Sequence, residues 1–196
     1  MMDFKLIVIS PENDVEKEGQ WLTRMFEEGL KLFHLRKPGY SETQMKQYIQ
    51  LLPEKYRSKI VLHSHFHLAG ELNLKGIHLS EKEKIEFRTK GKTINSISAS
   101  FHSIKELQRS RRKYAYVFLS PVYDSISKKG YAAGFNREEL NVFLSKTNQQ
   151  VIALGGINKQ RITELKKMGF KGAAVLGYIW EATNPLSKWR ELKSEI

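Results

Sequence analysis

Histidine, arginine, serine and glycine recur where short apolar runs end. The segments read His34-Leu35-Arg36-Lys37, His63-Ser64-His65, His78-Leu79-Ser80, Ser100-Phe101-His102 and Ser120-Pro121-Val122-Tyr123. Four of the six histidines, His34, His63, His78 and His102, stand at or near the same end of successive runs. A shared polar cavity explains that placement. An unperturbed imidazole titrates near pH ~6.5 and can take or give a proton at neutral pH, so His34, His63 and His102 are candidate general bases. The run Val151-Ile152-Ala153-Leu154 is followed by Gly155-Gly156, and Val175-Leu176 by Gly177. Glycine lets backbone approach a ligand closely, so these N–H groups can point at phosphate oxygens. The loop from Ser120 to Phe135 carries Ser125, Ser127, Lys128 and Lys129. Hydroxyls and an ammonium suit a diphosphate, and Lys128 is the better candidate because two hydroxyls precede it.

The elements that must position these residues alternate. Strands are predicted at Lys5–Ser10, Leu32–Arg36, Ile60–His63, Gly76–His78, Thr93–Ser98, Tyr114–Leu119, Val151–Leu154 and Gly172–Leu176. Continuous Val/Ile/Leu runs are expected where a parallel strand is covered on both faces. Helical spacing is read at Val15–Glu28, Ser41–Leu52, Ser103–Ser110, Arg137–Ser145, Lys159–Met168 and Pro185–Lys193. The segments Phe66–Leu72 and Glu81–Phe87 are shorter coverings, and a short helical turn is expected after Gly177. The pattern predicts an α/β fold, a minimal (β/α)8 TIM barrel, as one domain over residues 1–196. An open doubly wound sheet lacks support, because Ser10-Pro11-Glu12-Asn13-Asp14 follows the first strand where a Gly-x-Gly-x-x-Gly turn would stand. In a barrel the C-terminal strand ends carry the chemistry.

Composition narrows the chemistry. The 196 residues include no cysteine, which excludes disulfides, thiolate metal sites and a cysteine nucleophile. No apolar run reaches the ~20 residues of a membrane span, and the first ten residues do not read as a secretory signal. A cytoplasmic location without membrane contact is the expectation. The net charge of +12 favours anionic partners, yet most lysines fall on helix or loop positions that solvent would cover.

With these residues in place, the chain resembles the thiamine-phosphate synthase/TenI family. The resemblance runs from the first strand to Pro185. It rests on His34-Leu35-Arg36, Gly76-Ile77-His78-Leu79, Ser100-Phe101-His102-Ser103, Ser120-Pro121-Val122-Tyr123 through Lys128-Lys129-Gly130, and Ala153-Leu154-Gly155-Gly156-Ile157. It implies a transferase of thiamine biosynthesis that joins an aminopyrimidine-methyl diphosphate to a thiazole phosphate and releases diphosphate. It further implies that Arg36 and Lys128, with Ser125 and Ser127, hold the diphosphate. Ser100 would contact the pyrimidine, and Gly155, Gly156 and Gly177 would cradle the thiazole phosphate. Phosphorylated thiazole and pyrimidine ligands are the implied partners, and a homo-oligomer is left open.

The departures from the family pattern bear on the metal. Where the synthases place Asn-Asp after the third strand, with the aspartate on Mg2+, this chain has His63-Ser64. The second magnesium carboxylate falls at Glu83. His34 replaces a glutamine, and the later lysine position is Pro38, with Lys37 adjacent. TenI-like thiazole tautomerases carry a catalytic histidine where this chain has Pro121. A tautomerase and a non-catalytic phosphate-ligand-binding paralogue remain the alternatives to the synthase. Two further readings are weighed. His63, His65 and His67 have metal-like spacing, but a strand ending near His63 breaks their shared face. The run Arg109–Lys113 is basic, but no nucleic-acid-binding motif surrounds it, and a solvated turn is expected there.

Overall fold

Short β-branched runs and longer amphipathic segments alternate through the whole chain, and the computed structural model pairs every run with its successor. It describes residues 4–88, 94–124 and 134–196. The strands are β1 (Lys5–Ile9), β2 (Leu32–Leu35), β3 (Ile60–Leu62), β4 (Gly76–Leu79), β5 (Ile97–Phe101), β6 (Val117–Leu119), β7 (Val151–Leu154) and β8 (Gly172–Val175). They close in sequence order, all parallel, with β8 returning to β1 through Leu6↔Ala173 and Val8↔Val175. This is the (β/α)8 barrel that the alternation predicts.

The helices are α1 (Glu18–Glu27), α2 (Glu42–Leu51), α3 (Leu68–Glu71), α4 (Glu81–Glu86), α5 (Ile104–Arg109), α6 (Arg137–Lys146), α7 (Lys159–Met168), α8 (Gly177–Trp180) and α9 (Pro185–Lys193). Their starts have local causes. Ser41 accepts from the Gln44 N–H at 3.3 Å while Gln44 reaches back to the Ser41 N–H at 2.9 Å, a capping box. Asn136 and Asn184 cap α6 and α9. The short α3 and α4 cover β3 and β4 thinly, as their short segments foretold.

Period-two alternation divides each strand between two cores. Outward residues such as Phe33, Leu35, Leu62, Leu79 and Val117 pack beneath the helices. Inward residues Ile7, Ile9, Leu32, Val61, Tyr116, Phe118, Ile152 and Ala174 fill the barrel. The same inward parity carries His34, His78 and Ser98, all buried.

Two strand starts differ from expectation by three residues or more. The fifth strand was expected at Thr93–Ser98 and lies at Ile97–Phe101, so Ser100 is inside the strand rather than after it. Ser96 accepts from the Ile77 N–H at 3.0 Å, and pairing with β4 begins at Ile77↔Ile97. The sixth strand starts at Val117, three residues later than the apolar run suggests. Among the described residues, no helix is long and apolar enough to cross a membrane.

Candidate active site at the C-terminal mouth of the barrel

Residues at and just beyond the C-terminal strand ends surround one cavity of about 1010 Å³. Arg36, His63, Ser64, His78, Glu83, Ser100, His102, Gly155, Gly156 and Gly177 all line it. The sequence expectation of a shared polar cavity at the strand ends is thereby met for these residues. His34 lies beneath them, fully buried. Ser125, Ser127 and Lys128 fall outside the described residues.

The floor is a histidine cluster. His34 Nδ1 is 2.9 Å from His63 Nε2, and His34 Nε2 is 2.6 Å from Tyr116 Oη. His78 Nδ1 and Nε2 are each 2.8 Å from a serine Oγ, of Ser98 and Ser100 respectively. The rings of His63 and His78 stack with centroids 4.5 Å apart. Burial holds all three rings neutral: His34 and His78 well below the usual histidine range, His63 pulled down to about 3, with Arg36 adding to the effect at His63. Burial likewise raises the Tyr116 phenol. Ser98 and Tyr116 were missed in the sequence. Their signal was the inward parity they share with Ser100 and Phe118.

The rim carries charge. Arg36 is ion-paired to Glu12, which also lines the cavity. Its backbone N–H donates to Ser10 Oγ at 2.7 Å, and Ser10 Oγ donates to the Arg36 carbonyl at 3.0 Å. Those bonds fix the β1 and β2 ends against each other. Lys37, next in sequence, faces the other way. Its Nζ is buried between Glu18 Oε2 at 2.7 Å and the Asn13 carbonyl at 3.0 Å. Lys37 still forms part of the cavity wall, but its ammonium is held in this buried network. His102 Nδ1 lies 3.0 Å from the Ser120 carbonyl, which directs its Nε2 elsewhere. Lys84 Nζ donates to the Ser100 carbonyl at 2.6 Å and stands 3.9 Å from the Phe101 ring centre.

The glycine turn is built by contact. Gly155 has φ +99° and Gly156 φ +62°. A Cβ on Gly155 would lie 2.9 Å from Pro121 Cα, and one on Gly156 would lie 2.3 Å from the Asp124 carbonyl oxygen. Both features require glycine. Arg161 donates to the Gly156 carbonyl, and its guanidinium lies 4.2 Å from the Tyr123 ring centre. On β8's side, α8 is pinned where Trp180 Nε1 donates to the Ile9 carbonyl at 2.7 Å. The described part of the loop after β6 therefore packs onto the loop after β7.

The neighbouring histidines do not form the locally spaced metal set. His65 has φ +49° and its Nε2 lies 3.0 Å from the Tyr40 carbonyl, while His67 pairs with Glu42 at 3.1 Å. The chain leaves the strand at Leu62, which sends these side chains apart.

A closed eight-stranded parallel barrel with a polar, glycine-rimmed cavity at its C-terminal mouth places the chain in the class of (β/α)8 barrels. Comparison with known proteins is specific. The family model described as thiamine monophosphate synthase matches residues 6–179, and the chain belongs to that family. A crystal structure of thiamine phosphate pyrophosphorylase from Bacteroides thetaiotaomicron is 34% identical, with a TM-score of 0.84 over 98% of this chain and 97% of that one. The thiamine-phosphate synthase of Lactococcus lactis subsp. cremoris (strain MG1363) is 24% identical over 194 residues, covering 94% of this chain and 89% of its own length. A thiamine phosphate pyrophosphorylase from Pyrococcus furiosus shares the fold at a TM-score of 0.80. The synthases of this family are transferases of thiamine biosynthesis.

Proposed function

We propose that this chain joins an aminopyrimidine-methyl diphosphate to a thiazole phosphate and releases diphosphate. The observation that carries the reading is one cavity of about 1010 Å³ with Gly155, Gly156 and Gly177 on the same rim circuit as Arg36 and Ser100. That volume suits two small ligands side by side. The backbone N–H groups of the glycine turns would receive the thiazole phosphate. Arg36 would take the diphosphate, with Ser125, Ser127 and Lys128 as proposed helpers from the neighbouring loop. Ser100, already 2.8 Å from His78 Nε2, would contact the pyrimidine. His34, His63 and His102 are the proton-handling candidates. Of these, His102 stands nearest solvent and His34 acts only through His63.

Magnesium prefers oxygen ligands and is commonly held by one or two carboxylates together with substrate phosphates. Ser64 offers a hydroxyl where a carboxylate would be wanted. Glu83 offers a carboxylate on the cavity wall. Its Oε2 accepts from the Ser80 N–H at 2.7 Å, and its Oε1 has no partner among the described residues. Glu83 would be the residue to hold a magnesium ion brought by the diphosphate. When bound, the ion would neutralise charge on the departing group. Arg36 would do the same from the protein side.

Incubation with both substrates and magnesium, followed by detection of thiamine phosphate and diphosphate, tests the proposal. Formation at an enzymatic rate, falling by about 100-fold or more in Arg36→Ala, supports it. No thiamine phosphate at an enzymatic rate rejects it, and isomerisation of the thiazole phosphate alone would select the tautomerase.

A further inference from the structure

The histidines of the cavity floor come from three adjacent strand ends, and they converge. One potential ligand nitrogen from each of His34, His63 and His78 lies within 4.8 Å of the others. We propose that these three side chains form a site for a first-row transition-metal dication of the zinc type, independent of any magnesium held with the diphosphate.

Geometry carries the inference. Three nitrogens at a zinc–nitrogen distance of about 2.0–2.1 Å in a tetrahedral set lie roughly 3.3 Å apart. The closest pair here, His34 Nδ1 and His63 Nε2, is 2.9 Å apart, and the whole set spans no more than 4.8 Å. Small side-chain rotations bridge that difference. The atoms are also of the right chemistry. Neutral imidazole is the ligating form, and three imidazoles with no carboxylate favour zinc and its transition-metal neighbours over magnesium.

The surroundings match what holds a ligating histidine. Such rings usually donate their second N–H to a neighbour, which fixes the tautomer and turns the remaining lone pair to the metal. Tyr116 Oη stands 2.6 Å from His34 Nε2. Ser98 Oγ stands 2.8 Å from His78 Nδ1 and itself donates to the Ile77 carbonyl at 3.2 Å, so it is anchored to accept from that ring. With those partners, His34 Nδ1 and His78 Nε2 are the nitrogens left to ligate. Ser100 Oγ, at 2.8 Å from His78 Nε2, would turn aside or enter the metal's shell. His63 and His78 line the cavity, whereas His34 lies below it. The fourth position therefore opens upward, where water or a ring nitrogen of a bound heterocycle would complete the set.

Zinc and cobalt are the probes, with no thiamine substrate present. The purified full chain is stripped with chelator, loaded with Zn2+ or Co2+, desalted and analysed for metal. One ion per chain is expected, with the intense visible absorption of four-coordinate cobalt. His63→Gln, at a cavity-facing position, is expected to abolish uptake. Tyr116→Phe is expected to weaken affinity roughly 10–100-fold, and the double variant His65→Gln/His67→Gln to bind as the parent does. A parent chain that retains no stoichiometric metal overturns the proposal. So does a His63→Gln chain that binds unchanged, or loss of binding in the His65/His67 variant, which would locate the ion on the surface. Because the parent's cobalt spectrum decides by itself, a variant that fails to fold does not block the test. Uptake of zinc is read without turnover, so failure here and failure of synthase activity are distinguishable.

Discussion

His63 shows how far a residue's role depends on its neighbours. Alone in the sequence it ends a run of apolar residues; in the fold its ring stacks on His78 and meets His34 at 2.9 Å. The sequence grouped it with His65 and His67, which are close along the chain. The actual partners lie on other strands, and strand register is not readable from one sequence. Arg36 and Lys37, just past the end of β2, teach the same lesson, since one pairs with Glu12 and the other with Glu18. The buried rings make stability depend on pH. A histidine whose folded pKa lies below its unfolded value binds a proton first in the unfolded chain. Stability is therefore complete above about pH 6.5 and declines as pH falls from there toward about 3 for His63. The slope reaches about 1.4 kcal/mol per pH unit for each ring. Urea titrations of the chelator-treated protein at a series of pH values would measure it, and a flat profile between pH 6 and 4 would contradict neutral rings. A second residue-scale expectation concerns Ser64. Restoring a carboxylate with Ser64→Asp should reduce the magnesium concentration needed for half-maximal synthase activity by about tenfold, the effect of one added oxygen ligand of full charge. An unchanged requirement would place the metal elsewhere.

Elements are joined here by polar pins as well as apolar faces. Lys37, at the end of β2, reaches Glu18 of α1 at 2.7 Å, and Glu18 in turn accepts from Tyr48 of α2 at 2.6 Å. The side chains of Lys37 and Glu18 are 0% and 6% exposed. Removing Glu18 leaves the buried Lys37 charge with only the more distant Asp14 carboxylate at 3.4 Å, so Glu18→Gln should destabilise the fold, toward the low end of about 3–5 kcal/mol. The double variant Glu18→Gln/Lys37→Met should lose less than the two single changes added together. Equilibrium unfolding of the four proteins reads both. Additive losses would mean that the pair does not act as a unit. The glycine turn between β7 and α7 is the other pin. In Gly156→Ala the new Cβ meets the Asp124 carbonyl at a positive φ, at a cost of about 1–3 kcal/mol. Thiazole phosphate affinity should weaken alongside stability, whereas a stability loss alone would assign the turn a purely structural part. These elements were legible because periodicity and capping are local. Ser41, Lys159–Met168 and Pro185–Lys193 fell where expected. The starts of β5 and β6 did not, since Ile97 and Val117 are selected by pairing partners rather than by apolarity.

For the molecule as a whole, the barrel was readable from eight apolar runs in alternation, and the closed β8–β1 pairing follows from that count. The inner filling was less readable, because three histidines and two serines occupy positions that apolar residues commonly take in such barrels. A barrel whose mouth gathers its described rim groups into one cavity should respond to its ligands globally. At a hundred times its dissociation constant, thiazole phosphate should add about 2.7 kcal/mol of stability, visible as a raised Tm, and an unshifted Tm at saturating ligand would argue against the cavity as its site. The clasp of Arg36 by Glu12 sets a condition on what enters. A visiting anion must outbid a resident carboxylate for the same guanidinium. On the proposed function, singly charged metabolites would gain little from the exchange, while a group dense in charge would gain enough to win it, so the doorway would sort guests by charge density before any shape is tested.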